Sequence, residues 1–238
     1  GSPEDRLEGA LDFFDPGLAP AYAGSVNMQP QTANEVTQVY MDMNSFSEEI
    51  MALRHQRRPL RVFHSETSAI NKPFHMTDQS DLFESLYFEG FPLGFATEKI
   101  IRKQDHSNWD AILVYKTEFV TDAEFDALQS YLAAGGTVLL DGDQSLAKNE
   151  YGRRRPKVLV EGGGRLVKLK DGSTLSQFKD AALTLVAGST PGVVLTEANG
   201  TGQKGCTWRV VKKPDGGFVM NILNLALTVV QHRGFRAQ

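Results

Sequence analysis

The feature that most limits the fold of this chain is the segment "DAILVY" at residues 110–115, which is apolar without interruption after its first residue. Strands that face water on one side alternate apolar and polar residues, because successive side chains point to opposite faces. An uninterrupted apolar strand is typical of the centre of a parallel sheet, which is covered by helices on both faces. Strands and helices are therefore expected to alternate along the surrounding chain.

The expected alternation runs from residue 60 to residue 141. Strands are predicted at residues 60–64, 93–98, 110–115 and 137–141. After the first strand, "TDQSDLFESLYFEGF" predicts a helix that ends at Gly90, with an apolar face made of Leu82, Phe83, Leu86 and Tyr87. After the third strand, the capping-box pair Thr121 and Glu124 opens a helix that ends at Gly135. Four such units with short connections predict an α/β fold, a doubly wound parallel sheet with helices on both faces.

The chain before this sheet is predicted to contain one long helix. Residues 7–31 are broken by prolines and glycines, so no regular element is expected there. From Thr32 to about Arg57, apolar residues recur at spacings of three and four, which predicts an amphipathic helix. Its apolar stripe consists of Val36, Val39, Met43, Phe46, Ile50 and Leu53. Pro59 ends the helix, because proline lacks an N–H and disfavours helical backbone at the residue before it.

The chain after the fourth strand is less regular. The segment "GRRRPKVLVEGGG" predicts a loop with the solvated run Arg153, Arg154 and Arg155. "GRLVKLKDG" predicts a short strand or one arm of a hairpin. "STLSQFKDAALTLV" predicts a further helix, with one face made of Leu175, Phe178, Ala182 and Leu185. Two β segments flank a hairpin turn at residues 214–217, and this hairpin is expected either to extend the edge of the sheet or to begin a β-sandwich.

Composition excludes several classes of function. A net charge of −4 offers no basic field for nucleic acid. No apolar run approaches the roughly 20 residues that a membrane span needs. The single cysteine, Cys206, excludes an intrachain disulfide and a cysteine-cluster zinc site, and no cofactor motif is recognised. The initial Gly1-Ser2-Pro3 is typical of a cleaved purification tag, so the sequence does not decide between a cytoplasmic and a periplasmic or secreted location.

Acidic residues follow the strands at the edge where open α/β sheets bind ligands, namely Glu66, Glu118, Asp141 and Asp143. In class I glutamine amidotransferase-like folds, the corresponding fourth strand ends on a sharp turn that exposes a nucleophilic cysteine. Here that turn holds Asp141, Gly142 or Asp143, so amidotransferase chemistry is not expected. Turn formation or helix capping is the expected role of the two aspartates, and no metal site is expected. The four acidic residues are the candidates for substrate binding, and no catalytic residue is assigned.

The order of several segments resembles a known family. These are "QPQTANEVTQVYMDMNSFSEEIMALR", "RPLRVFHSETSAI", "LYFEGFPLGFATEKII", "WDAILVYKTEFVTDAEFDALQSYLAAGGTVLLDGD" and "KNEYGRRRP". Together they resemble the region that follows the catalytic barrel in family 42 β-galactosidase-type glycoside hydrolases. The resemblance implies the irregular tail of a barrel (1–31), a linking helix (32–58), a flavodoxin-like, class I glutamine amidotransferase-like trimerisation domain (59–190), and a β segment or partial β-sandwich domain (191–238). The family's catalytic glutamates lie in the barrel, and no residue of this chain matches their motifs.

The resemblance implies a non-catalytic accessory or oligomerisation region of a carbohydrate-active glycoside hydrolase. The expected partners are further copies of the chain or the missing catalytic barrel, with carbohydrate as an additional ligand and neither nucleic acid nor membrane. One alternative is a free-standing carbohydrate-binding or hydrolytic α/β domain that uses the acidic residues at the carboxyl edge of the sheet. Another is a fragment that has no function without its barrel.

Overall fold

A computed structural model of the chain describes residues 30–186, 195–196, 206–213 and 215–224. The chain divides into two compact units, the first ending at Arg54 and the second beginning at His55. Almost all of the irregular segment expected at residues 7–31 lies outside the described residues. In the described residues, no helix is long and apolar enough to cross a membrane.

The first unit contains two consecutive helices, α1 (Pro30–Ser45) and α2 (Ser47–Arg54). The single helix predicted from Thr32 is therefore interrupted at Phe46. Backbone hydrogen bonds from Phe46 N–H to the carbonyl of Asp42 (3.1 Å) and from Ile50 N–H to the carbonyl of Phe46 (3.0 Å) continue across the interruption. The predicted apolar stripe is exposed along most of its length, from 36% at Ile50 to 60% at Phe46.

The second unit is built on a five-stranded parallel sheet, which confirms the predicted α/β fold. Its strands are β1 (Leu60–Phe63), β2 (Leu93–Ala96), β3 (Ala111–Val114), β4 (Thr137–Leu140) and β5 (Arg165–Lys168). Their order, β2-β1-β3-β4-β5, is the flavodoxin-like order. The central strand β3 is buried at every residue, as its apolar sequence predicts. Leu113 is paired with Val62 of β1 on one side and with Leu139 of β4 on the other.

Helices cover both faces of the sheet. Those of the second unit are α3 (Glu66–Asn71), α4 (His75–Tyr87), α5 (Glu98–Lys103), α6 (Asp122–Ala133) and α7 (Leu175–Leu185). On one face, Leu82 of α4 and Phe178 of α7 share a buried cluster with Leu113. On the other face, the buried cluster contains residues of α5 and α6. The helices predicted at α4, α6 and α7 are confirmed, whereas α3 and α5 are additions that the sequence patterns did not predict.

The capping box at the start of α6 is confirmed in both directions. Thr121 Oγ1 accepts from the N–H of Glu124 at 3.1 Å, and Glu124 Oε2 accepts from the N–H of Thr121 at 2.7 Å. These bonds satisfy two amides that a helix start leaves without intrahelical partners.

The region after β4 decides between two predicted alternatives and corrects one further prediction. β5 is paired parallel with β4, so the short strand predicted for "GRLVKLKDG" is confirmed and the alternative, a hairpin arm, is not. Arg155 is not solvated, because its side chain is only 4% exposed, whereas Arg153 and Arg154 are exposed. It donates from Nη2 to the carbonyl of Val120 at 2.7 Å and forms an ion pair with Asp122. The arginine therefore anchors the loop to the start of α6.

The predicted C-terminal hairpin is confirmed as β6 (Cys206–Lys212) and β7 (Phe218–Asn224), which pair antiparallel. It forms a separate two-stranded sheet and does not extend the edge of the parallel sheet. Trp208 of β6 packs on Gly90 after α4, since a Cβ added at Gly90 would lie 2.7 Å from the indole ring. The β-sandwich expectation depends on the residues after Asn224, which lie outside the described residues.

This contact makes Gly90→Ala an informative substitution. Gly90 has a φ of +82°, so alanine there suffers both an unfavourable backbone conformation and overlap with Trp208. We expect the free energy of unfolding to fall by about 2–4 kcal/mol, measured by urea denaturation. Gly172→Ala is the matched control, because Gly172 has a φ of +79° with no heavy atom within 4 Å of an added Cβ. Equal losses in the two variants would contradict the packing of Trp208 on Gly90.

Candidate functional site

The topological switch point of the sheet lies between β1 and β3, where the strand order reverses. Open α/β sheets bind ligands in the crevice beyond the carboxyl ends of the strands at such a point. In this chain, residues 64–68 follow β1 and residues 115–119 follow β3. The contacts between these two segments decide whether the crevice is open to a ligand.

Two buried serines link the segments directly. Ser68 Oγ accepts from the N–H of Phe119 at 2.9 Å and donates to the carbonyl of Phe119 at 2.6 Å. Ser65 Oγ donates to the same carbonyl at 3.1 Å, and it also caps α3 by accepting from the N–H of Ser68. Both serines are fully buried. Their hydroxyl groups are thus engaged in holding backbone and are not presented to solvent.

Lys116, just beyond β3, has a φ of +48°, a left-handed conformation that non-glycine residues seldom adopt. Its carbonyl accepts from Lys72 Nζ at 2.7 Å and lies 3.3 Å from His75 Nδ1. Its own Nζ donates to Asp78 Oδ1 at 2.7 Å, and this hydrogen bond raises the pKa of Lys116. Polar side chains from α4 and the residues before it therefore hold the unusual backbone of this turn.

Sequence reasoning missed this group of polar residues. His75 and Gln79 lie on the same buried stripe of α4 as Leu82 and Leu86, at helical spacing. Gln79 Nε2 donates to the carbonyl of Tyr115 at 2.7 Å. The sequence did contain a signal for them, since His75 and Gln79 continue the apolar stripe of the helix. Polar residues on a buried stripe need hydrogen-bond partners, so their position indicates such partners nearby.

The pKa of His75 is lowered, chiefly because burial disfavours the imidazolium form. The folded chain therefore holds His75 neutral over a pH range in which the unfolded chain, with a pKa near 6.5, binds a proton. In that range, the unfolded state carries more protons, so His75 makes the free energy of unfolding rise with pH until about pH 6.5. We expect His75→Gln to show a smaller rise between about pH 5 and about pH 7 in urea denaturation. Identical pH profiles for the two proteins would contradict a buried neutral His75.

Asp141, at the expected nucleophile turn, joins the ends of β3 and β4. Its Oδ2 accepts from the N–H of Lys116 at 2.9 Å, and its Oδ1 accepts from the hydroxyl of Ser145 at 2.5 Å. Ser145 Oγ in turn accepts from the N–H of Thr117 at 3.0 Å. Burial raises the pKa of Asp141, and the hydrogen bonds from Ser145 and Lys116 act in the opposite direction. The contacts are those of a turn-forming aspartate.

The other three acidic candidates are held by different partners or face solvent. Asp143 is exposed and accepts from Lys168 Nζ at 2.7 Å. Glu118 forms an ion pair with Lys148 at 2.8 Å. Glu66 is the exposed first residue of α3. No contact joins any two of the four candidate carboxylates in the described chain, and their role in substrate binding stays a prediction.

Glycoside hydrolysis requires two carboxyl groups on either side of a sugar-sized cleft. At the switch point, the described serines, Asp141 and Gln79 all hydrogen-bond to the chain itself, mostly to backbone groups. No group of three or more potential metal-ligating side chains occurs within the described ranges. This arrangement fixes the turns after β1, β3 and β4 in place.

Comparison with known proteins shows that this chain is similar to parts of glycoside hydrolases. A scan against protein-family models and a search of curated proteins found no match. The chain is 39% identical to the apo form of an exo-carrageenase of glycoside hydrolase family 42 from Bacteroides ovatus, over 86% of this chain and 28% of that one, with a TM-score of 0.72. The resemblance to a C-terminal region of a family 42-like glycoside hydrolase is thereby confirmed.

Two more distant structures share the fold. One is a β-galactosidase from Bacillus circulans sp. alkalophilus, with 10% identity over 71% of this chain and 35% of that chain, and a TM-score of 0.50. The other is a β-galactosidase from Rahnella sp. R3, with 12% identity over 71% of this chain and 36% of that chain, and a TM-score of 0.50. The chain spans between 28% and 36% of the length of these three structures.

Proposed function

We propose that this chain, a region similar to part of a family 42 glycoside hydrolase, is a non-catalytic accessory and oligomerisation region of a longer enzyme. The proposal rests on the switch point, where the polar groups are already hydrogen-bonded to other groups of the same chain. The groups that an enzyme of this fold would use there, on the segments after β1, β3 and β4, form hydrogen bonds within the chain. A region of this kind acts through packing and surface contacts, and the chemistry belongs to the catalytic barrel that we propose for the whole protein.

For the whole protein we propose a glycoside hydrolase of β-galactosidase type, with carrageenan as the first substrate to test. The relative at 39% identity is named an exo-carrageenase, whereas the relatives named β-galactosidases are 10% and 12% identical. Sequence similarity therefore favours carrageenan over simple galactosides. The resemblance to family 42 implies that the domain built on the sheet is a flavodoxin-like, class I glutamine amidotransferase-like trimerisation domain, and we propose the same role for it in this chain.

The helices of the first unit supply the surface for association. The large apolar residues of the stripe on α1 and α2 are exposed, including Val39 at 55% and Phe46 at 60%. Contiguous apolar patches on a soluble protein mark sites of protein contact. We propose that this stripe is covered by a second copy of the chain when the chain is alone in solution.

Light scattering at several protein concentrations tests the association. We expect a mass above that of one chain, and we expect Val39→Ser with Phe46→Ser to lower that mass, because two large apolar side chains are lost from the contact through the stripe. The control replaces two polar residues of α1, Glu35→Ser with Gln38→Ser, and is expected to keep the mass of the unmodified chain. A monomer at every concentration would contradict the oligomerisation role.

A further inference from the structure

A concavity lies beside the carboxyl ends of β4 and β5, and its lining includes Ser145, which is hydrogen-bonded to Asp141 and Thr117. It has a volume of about 620 Å³ and is closed on one side by the loop that carries Arg154 and Arg155. Its apolar lining residues include the exposed Val158 and the largely buried Phe125, Leu146 and Leu159. A volume of this size is in the range of sites that bind small ligands, which combine apolar walls with a few polar groups.

The lining of this cavity is strongly basic. Its cationic residues are Lys148, Arg154, Arg155, Lys157 and Lys168, and its single acidic residue is Asp143. The whole chain has a net charge of −4, so this concentration of positive charge is not a property of the surface in general. A cavity lined in this way attracts anions, since low-dielectric walls concentrate the field of the charges.

Ion pairs within the chain neutralise only part of this charge. Arg155 pairs with Asp122, Lys148 with Glu118, and Lys168 with Asp143. Arg154 and Lys157 are exposed, and neither has an ion-pair partner in the described part of the chain. In addition, the buried Nε of Arg155 has no hydrogen-bond partner there.

We propose that this cavity binds a sulfated galactan oligosaccharide, with Arg154 and Lys157 contacting a sulfate ester and the exposed side chain of Val158 contacting a sugar ring. The positive charge and the apolar lining residues come from the structure of the cavity. The choice of a sulfated galactan rests on the proposed function, in which the whole enzyme acts on carrageenan. The site then holds a charged polysaccharide on the accessory region, apart from the catalytic barrel.

Isothermal titration calorimetry with a κ-carrageenan tetrasaccharide tests the site on the unmodified chain. The desulfated tetrasaccharide, inorganic sulfate and inorganic phosphate are titrated in parallel. We expect the sulfated tetrasaccharide to bind at least about tenfold more tightly than each of the other three, and its affinity to fall as salt is added.

Two double variants locate the binding. Arg154→Gln with Lys157→Gln is expected to weaken binding of the sulfated tetrasaccharide by about tenfold or more, because both unpaired cations are lost. The control, Arg153→Gln with Lys170→Gln, removes the same number of charges from exposed residues that do not line the cavity, and is expected to change the affinity by less than about twofold.

The proposal would be overturned by no binding by the unmodified chain, by equal binding of the sulfated and desulfated sugars, or by equal weakening in the two double variants. Binding of inorganic sulfate as tight as that of the tetrasaccharide would show an anion site that does not recognise a saccharide, and would also overturn it. The proposed accessory and oligomerisation role is tested separately, by the mass of the chain in light scattering and by the assay of hydrolysis by the chain alone. Either proposal can therefore fail while the other stands.

Discussion

Phe178→Ala is expected to lower the free energy of unfolding by about 3–5 kcal/mol. Phe178 of α7 is fully buried, and its ring lies 4.9 Å from the ring of Tyr115, between centroids, at the end of β3. Removal of the phenyl group takes away apolar burial and leaves a cavity under the helix, because close-packed cores relax only partly. Urea denaturation followed by circular dichroism measures the loss.

Phe218→Ala is the matched control, since Phe218 of β7 is 72% exposed. We expect it to change the free energy of unfolding by no more than about 0.5 kcal/mol. A similarly small effect of Phe178→Ala would mean that α7 is not packed on the sheet. That result would contradict the buried cluster that Phe178 shares with Leu82 and Leu113.

Arg155→Met is expected to lower the free energy of unfolding by about 2–3 kcal/mol. The substitution keeps much of the side-chain stem but removes the donor to the carbonyl of Val120, the ion pair with Asp122 and the guanidinium that lies 5.0 Å from the centre of the Phe125 ring. The carbonyl of Val120 then loses this donor in a buried position. Asp122 is 83% exposed, so it remains hydrated and adds little to the loss.

The control Arg154→Met separates the effect of losing buried contacts from the effect of losing one positive charge. Arg154 is exposed, so we expect a change in the free energy of unfolding of no more than about 0.5 kcal/mol. Both variants lose one positive charge from the same loop. Equal effects in urea denaturation would contradict the anchoring role of Arg155.

The elements that the sequence predicted correctly are those specified by short-range patterns. The apolar run of β3 predicted a central parallel strand because only a strand covered on both faces buries side chains on both. The pair Thr121 and Glu124 predicted the start of α6 because a capping box is complete within four residues. By contrast, α3 and α5 have six residues each, which is too short for helical periodicity to be recognised.

The site was predicted less completely, because its contacts join residues that are distant in sequence. Ser68 and Phe119 are 51 residues apart, and no local pattern indicates that they share two hydrogen bonds. The three consecutive arginines are equivalent in sequence, yet only Arg155 reaches Asp122, 33 residues earlier. The turn-forming role expected for Asp141 required only its place after a strand, which is local information. Its partners Lys116 and Ser145 became known from the structure.

The hydrogen bonds and ion pairs at the switch point also argue against the alternative of a free-standing hydrolytic domain. Such a domain would need at least one carboxyl group free to act on a glycosidic oxygen. Asp141 is engaged with Lys116 and Ser145, and Glu118 with Lys148. Asp143→Asn and Glu66→Gln therefore change the least constrained carboxylates at this edge, and they are expected to leave the fold intact.

The most direct test of the proposed non-catalytic role is an assay of hydrolysis by the chain alone. The substrates are p-nitrophenyl β-galactoside and a κ-carrageenan tetrasaccharide, and a heat-denatured sample sets the background. We predict no product above that background from the unmodified chain. Product release that any one of Glu66→Gln, Glu118→Gln, Asp141→Asn or Asp143→Asn abolishes, in variants that circular dichroism shows to be folded, would contradict the account.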